Sequence, residues 1–239
     1  FLAYGAKGAA FPDISYGFYS VFADFCGIPA TVIPLEEDFT IDSEKYHGLN
    51  RFVVIANPNA PTGLSIPVWQ IEEMLKSNPD NVVVIDEAYV DFGGESAIKL
   101  IPQYENLLVI QTFSKSRSMA GMRIGFAIGS KRLIKAMNDV KYSFNSYTMD
   151  RTALAAGVEA VKDKAYFEEH VQMIKDTREW TKAELKKLGF TFPDSQSNFL
   201  FVTHEKYDAK ELFEALKKAD IYVRYFSGER TNQYLRITI

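Results

Sequence analysis

FVVIANPNAPTG (Phe52–Gly63), VVVIDEAY (Val82–Tyr89) and LLVIQTFSKSRSMAGMR (Leu107–Arg123) share one pattern: a short apolar run, then a polar cluster. Runs of this length, β-branched and closed by breakers such as Asn57, Pro58 and Pro61, read as buried strands. Helical periodicity fills the interval after the first. Val68, Ile71, Met74 and Leu75 fall on one face of Pro67–Lys76, and the proline suits a first helical turn. Ile124–Ile128 reads as a fourth strand, with helices at Lys131–Lys141 and Thr152–Lys162. Strands alternating with helices predict an α/β fold: a mostly parallel sheet with helices on its faces.

The pattern changes near Asp163. A long charged helix is expected over Tyr166–Leu188, ending at Gly189 as a C-cap. Strands at Phe199–Val202, Ile221–Arg224 and Tyr234–Ile239, with a helix at Ala209–Lys218, read as a smaller α+β unit. The expected organisation is a large α/β domain over 1–163 and a small C-terminal α+β domain over 164–239. Phe1 in place of a methionine, and a final strand with nothing after it, predict a fragment.

Composition narrows the class. Hydrophobic residues make up 47% and charged residues 24%, the balance of an ordinary globular protein. The net charge of −4 comes without a basic stripe, so nucleic acid is not an expected partner. No apolar run reaches the roughly 18–20 residues of a membrane span. The single cysteine, Cys26, can form neither an internal disulfide nor a zinc cluster, which predicts a reducing, cytoplasmic setting. His47, His170 and His204 lack ligand spacing, so no metal is expected.

In an open parallel sheet, ligands bind beyond the carboxyl ends of the strands. The polar clusters all follow strands, so they should converge on one edge. They offer an amine (Lys115), a carboxylate closing a buried strand (Asp86), a phenol (Tyr89), two hydroxyls (Thr112, Ser114) and a guanidinium (Arg123). Taken singly, Lys115 is a solvated lysine, Asp86 an N-cap and Arg123 a surface ion pair. Together they are what pyridoxal phosphate (PLP) requires. Lys115 would bond the aldehyde, and Asp86 would keep the pyridine nitrogen protonated. Thr112, Ser114 and Arg123 would hold the phosphate, and Tyr89 would reach the ring's phenolic oxygen.

FSKSRSMAGMRIGFA (Phe113–Ala127) resembles the lysine region of fold-type-I PLP-dependent aminotransferases, in particular the histidinol-phosphate aminotransferase branch. The family's phosphate arginine follows its lysine by eight positions, the spacing of Lys115 and Arg123. VIDEAYVDF (Val84–Phe92) matches the family's aspartate and tyrosine at Asp86 and Tyr89. FPDISYGFYS (Phe11–Ser20) resembles the segment whose aromatic ring stacks on the cofactor, which implies that role for Tyr16; a core aromatic is the plain alternative. The likeness covers nearly the whole chain. Two departures stand out. Where the family has an asparagine before PTG, bonding the ring oxygen, this chain has Ala60: either Tyr89 supports that oxygen alone, or Asn59, ahead of Asn57, substitutes through a shifted loop, and Asn59 is the expected one. The glycine-rich phosphate turn should precede Phe11, and Lys7–Ala10 does not supply it.

The resemblance also assigns Arg236 to the carboxylate or phosphate of the substrate, with Arg224 as a second arginine in that pocket; each could instead be a solubilising charge on an edge strand. It implies an amino transfer from L-histidinol phosphate to 2-oxoglutarate, a homodimer, and small-molecule partners. A threonine-phosphate decarboxylase and an aromatic aminotransferase are the enzymatic alternatives. A PLP-sensing regulatory module is the alternative outside catalysis.

Overall fold

The computed structural model describes residues 7–239. Six strands form the main sheet: β1 (Ala9–Pro12), β2 (Ala30–Ile33), β3 (Phe52–Ala56), β4 (Val83–Asp86), β5 (Leu107–Thr112) and β6 (Gly125–Gly129), in the order β2-β1-β3-β4-β5-β6. All neighbours are parallel except β6, which runs antiparallel to β5. The apolar runs beginning at Phe52, Val82 and Leu107 are thus the adjacent inner strands β3, β4 and β5. Ile55, Val83, Ile85, Leu107 and Val109 are wholly buried. Alternate residues serve opposite faces. Val53, Ile55, Val83 and Ile85 pack on Ile71, Met74 and Leu75 of helix α2 (Val68–Ser77). Val54, Val84 and Leu108 pack on Ala23 of α1 (Phe18–Phe25) and Leu133 of α3 (Lys131–Phe144). A strand covered on both faces must be apolar throughout, which explains the unbroken runs.

The sequence did not disclose β1 and β2. Ala9–Pro12 contains no β-branched residue and ends in proline. Ala30–Ile33 has three β-branched residues, but it is a run of four between Pro29 and Pro34 that buries only Ile33. The sheet is mostly parallel, as expected, with β6 the antiparallel exception. The path from Thr112 to Gly125 contains only a short 3-10 turn (Ala120–Met122) and no helix long enough for a parallel crossover.

Helix α4 (Arg151–Lys162) leads into α5 (Lys164–Lys187), which Asp163 caps by accepting from Tyr166 N–H and which Gly189 follows at φ +87°. A second sheet, wholly antiparallel, has the order β7-β8-β10-β9, from β7 (Phe190–Thr191), β8 (Phe199–His204), β9 (Arg224–Tyr225) and β10 (Leu235–Thr238). Helix α6 (Ala209–Lys218) covers one face. The strand expected at Ile221–Arg224 shrinks to Arg224–Tyr225. Asp220 turns at φ +59°, and Ile221 and Tyr222 remain exposed.

β8 joins the two sheets through its alternation. Leu200 and Val202 pack toward α6 residues such as Leu212 and Leu216. Phe201 packs on Leu35 and Phe39, which belong to the first half of the chain. The segment before β8 is locked in place. Ser195 and Ser197 are fully buried, and Gln196 N–H donates 2.8 Å to the Gly63 carbonyl. Gly63 has φ +76°, and a Cβ there would run into the Ser195 side chain and come within 3.1 Å of its Cα. Backbone strain and overpacking should therefore add. Gly63→Ala is expected to cost about 2–4 kcal/mol in equilibrium urea unfolding. A cost below about 0.5 kcal/mol, ordinary for a surface change, would contradict this docking.

Candidate active site

The chain leaves β1 toward β2 on one side and returns to β3 on the other. A crevice therefore opens at the carboxyl ends of β1 and β3, where this topology places ligands. A cavity of about 340 Å³ lies there. Its wall takes Tyr16 from the loop after β1, Ala60 from the loop after β3, Asp86 and Tyr89 from the end of β4, and Thr112, Ser114, Lys115 and Arg123 from the region after β5. Eight of the sequence-derived positions thus meet on one surface or neighbour it directly, including Ala60. A larger groove of about 450 Å³ runs beside Arg117, but its Glu159 and Lys162 already pair at 2.8 Å, so it offers fewer free groups.

Asp86 closes a strand whose preceding residues are buried, and is itself partly buried at the cavity wall. Oδ2 accepts from the Tyr19 hydroxyl at 2.8 Å, and Oδ1 from Ala88 N–H at 3.1 Å. Burial pushes the Asp86 carboxyl above the ordinary range; the Tyr19 and Ala88 donors and the Lys115 charge oppose that rise without cancelling it. The next residue, Glu87, is also pushed up by burial. It is held by Ser96 Oγ at 2.7 Å, Ala97 N–H at 2.6 Å and Gln111 Nε2 at 2.8 Å, facing away from the cavity wall.

Lys115 Nζ stands 5.3 Å from the centroid of the Tyr89 ring. That ring meets Phe199 of β8 edge-on at 5.0 Å, and the Arg236 guanidinium lies 5.0 Å from the Phe199 centroid. A continuous stack, Lys115–Tyr89–Phe199–Arg236, thus links the cavity to the second sheet. Arg224 pairs in register with Arg236 across β9 and β10, and both guanidinia approach Phe226. Among the described residues neither has a carboxylate partner, and Arg236 Nε is buried without a hydrogen bond. Two cations in register without a carboxylate partner have the chemistry to attract an anion.

Thr112 Oγ1 lies 2.9 Å from Ser114 Oγ and accepts from Ser114 N–H at 3.1 Å. Arg123 is exposed at the rim, in a left-handed backbone conformation, and donates to the Ala120 carbonyl at 3.0 Å. Tyr16 is half exposed and stacks on Phe18 at 5.9 Å.

Asn59 does not reach the cavity. Its Nδ2 donates to the Ile14 carbonyl at 2.9 Å and to Thr62 Oγ1 at 3.2 Å, while its Oδ1 accepts from Ser15 Oγ at 2.8 Å. The amide is spent tying the Tyr16 loop to the PTG turn. Asn57 is equally engaged, with both the N–H and the carbonyl of Ile66. The wall at this point is the Ala60 methyl. The glycine-rich turn expected before Phe11 lies partly outside the described residues; within them, Ala9 and Ala10 are buried β1 positions.

Tyr19 and Phe199 escaped the sequence reading. Tyr19 follows Tyr16 by three positions, the spacing of one helical turn, and that was the signal available. Phe199 has the outward phase of β8, visible only once the strand's other face is assigned to α6.

A model of the family "Aminotransferase class I and II" matches residues 1–239, and the chain belongs to this family. It is 50% identical over 242 residues to a histidinol-phosphate aminotransferase of Brachyspira hyodysenteriae, covering all of this chain and 68% of that protein. It is 52% identical over 229 residues to a histidinol-phosphate aminotransferase of Acinetobacter baumannii (strain AYE), covering 96% of this chain and 63% of the relative. The chain thus spans about two thirds of the length of these relatives. The crystal structure of the histidinol-phosphate aminotransferase from Clostridium acetobutylicum superposes with a TM-score of 0.88 at 27% identity, over 99% of this chain and 74% of that one.

The raised Asp86 pKa sets a testable sign. A carboxyl whose folded pKa lies above its unfolded value opposes folding when ionised, and the loss is recovered as pH falls through the raised pKa. Cofactor-free Asp86→Asn is therefore expected to be more stable than wild type at neutral pH, with the advantage shrinking on acidification. Thermal melts across pH check this; a constant difference or a less stable variant would contradict it.

Proposed function

We propose that this chain forms the greater part of a PLP-dependent aminotransferase that moves the amino group of L-histidinol phosphate to 2-oxoglutarate in histidine biosynthesis. The observation that carries the reading is the stack from Lys115 through Tyr89 and Phe199 to Arg236. It sets an amine and a phenol in one cavity and connects them, ring by ring, to Arg236 and its register partner Arg224. The relatives' shared name supports the substrate choice.

The cavity's residues fit the cofactor. A buried carboxylate, short of partners for its charge, suits a protonated ring nitrogen, and Tyr16 offers an aromatic face. Thr112, Ser114 and Arg123 would hold the phosphate, and Tyr89 the ring oxygen, with Ala60 contributing no polar group. Bound PLP supplies an electron sink for a carbanion at the substrate Cα. Lys115 Nζ is the amine that would hold the cofactor through its aldehyde, and when free it would carry the proton to and from the substrate Cα as base and acid. Arg236 and Arg224 grip the phosphate of one substrate and the carboxylate of the other. The working state is a cytoplasmic homodimer, a reading supported by the exposed apolar face of α1 (Phe18, Val21, Phe22, Phe25) beside Tyr16.

Full-length protein with PLP is expected to show a visible absorption band that needs Lys115 and is lost on adding L-histidinol phosphate. Lys115→Ala should lose the band and at least about 100-fold in kcat. Arg236→Gln should raise KM about 10–100-fold, the weight of a charge-assisted hydrogen bond. No Lys115-dependent band would contradict the cofactor reading. A band indifferent to histidinol phosphate would discard the substrate, and carbon dioxide released from L-threonine phosphate would make the protein a decarboxylase.

A further inference from the structure

We propose that Tyr19 is a positioning residue for Asp86: its hydroxyl, 2.8 Å from Oδ2, orients the carboxylate toward the cavity and keeps it ionised there. The inference deepens the PLP reading above and rests on it for the ring nitrogen that Asp86 would face.

The two residues lie 67 positions apart and meet because α1 covers the face of the sheet at the end of β4. The Tyr19 ring is held from two sides, by Phe11 at 6.1 Å and by the edge of Tyr16 at 5.6 Å, and its backbone N–H donates to the Tyr16 carbonyl at 3.1 Å. One turn of chain therefore sets both the aromatic wall of the cavity and the donor to its carboxylate. With Ala88 N–H on Oδ1, each carboxylate oxygen has one fixed protein donor, so the plane of the group cannot turn freely. Lys115 is the charged side chain that acts on Asp86, and Tyr16 also bears on Tyr19.

The proton stays on the phenol. Burial and the Asp86 charge push Tyr19 far above the usual phenol value, so the hydroxyl donates and the carboxylate accepts. Loss of that donor would leave Asp86 buried with a single donor, and its basicity would rise. The proton shared with the ring nitrogen would then shift toward the carboxylate, weakening the electron sink. A purely structural alternative is that Asp86 merely satisfies a buried tyrosine hydroxyl.

The deciding variants are Tyr19→Phe, which keeps the ring, and 3-fluorotyrosine at position 19, which keeps the shape and strengthens the donor. The readout is the Asp86 carboxyl titration followed by ¹³C NMR in cofactor-free protein, assigned with Asp86→Asn. In Tyr19→Phe the Asp86 pKa is expected to move up by about 1–2 pH units, and in the fluorinated protein down. In PLP-loaded protein, Tyr19→Phe should lower kcat about 10-fold or more while substrate KM stays within about twofold, because Tyr19 lies outside the anion site. An Asp86 titration unchanged in the fluorinated protein, or in a folded Tyr19→Phe, would overturn the proposal. Failure of wild type to form a Lys115-dependent band would count against the cofactor reading alone, since the titration is measured without cofactor.

Discussion

A carboxylate at the end of a buried strand is the constraint on which the rest of the structure turns. Asp86 ends β4 between two inner strands, where burial leaves its charge poorly solvated and dependent on fixed donors. The chain supplies two, from α1 and from the turn at Ala88, and leaves the charge incompletely answered. An unanswered buried charge is costly to keep. Its retention makes sense if a positively charged partner enters the cavity, and a protonated pyridine is such a partner. Stability and function therefore pull against each other at this one residue.

The second sheet completes the site by geometry more than by contact area. β8 sends Leu200 and Val202 into its own core and Phe201 into the first half of the chain. The same outward phase sets Phe199 between Tyr89 and Arg236. Two arginines hold the halves together. Arg178 of α5 is buried and donates to the carbonyls of Phe92 and Ser197, 2.8 and 2.9 Å away, fixing the loop after Tyr89 to the loop before Phe199. Arg230 reaches back to Asp13 and to the carbonyls of Leu35 and Glu36, steadying the loop that leads to Tyr16. The Arg224–Arg236 pair and the cavity are thus tied at both edges.

The central strands, most helices and the convergence of Asp86, Tyr89 and Lys115 were legible in the sequence because burial on both faces leaves continuous apolar runs, and because polar clusters after parallel strands must share an edge. α6 fell where its periodicity put it, at Ala209–Lys218. β1 was illegible because alanine and proline carry little strand preference, and β2 because its three β-branched residues form a very short run between prolines; pairing of β1 with β3, and of β2 with β1, decides the matter. Asn59 was misread for a different reason. Position in a motif gives order along the chain, not the direction of a side chain, and this amide is consumed by Ile14 and Ser15. Tyr19 stayed hidden because its partner is remote in sequence and its hydrophobic surroundings look like ordinary core.

Chemical trapping tests the central claim, that Lys115 is the amine of this cavity, most directly. Full-length protein saturated with PLP is reduced with borohydride, digested, and mapped by mass spectrometry. A single phosphopyridoxyl group per chain on the peptide containing Lys115, absent from Lys115→Ala, is the predicted result. Label spread over exposed lysines, or fixed on another lysine with Lys115 unmodified, would contradict the account.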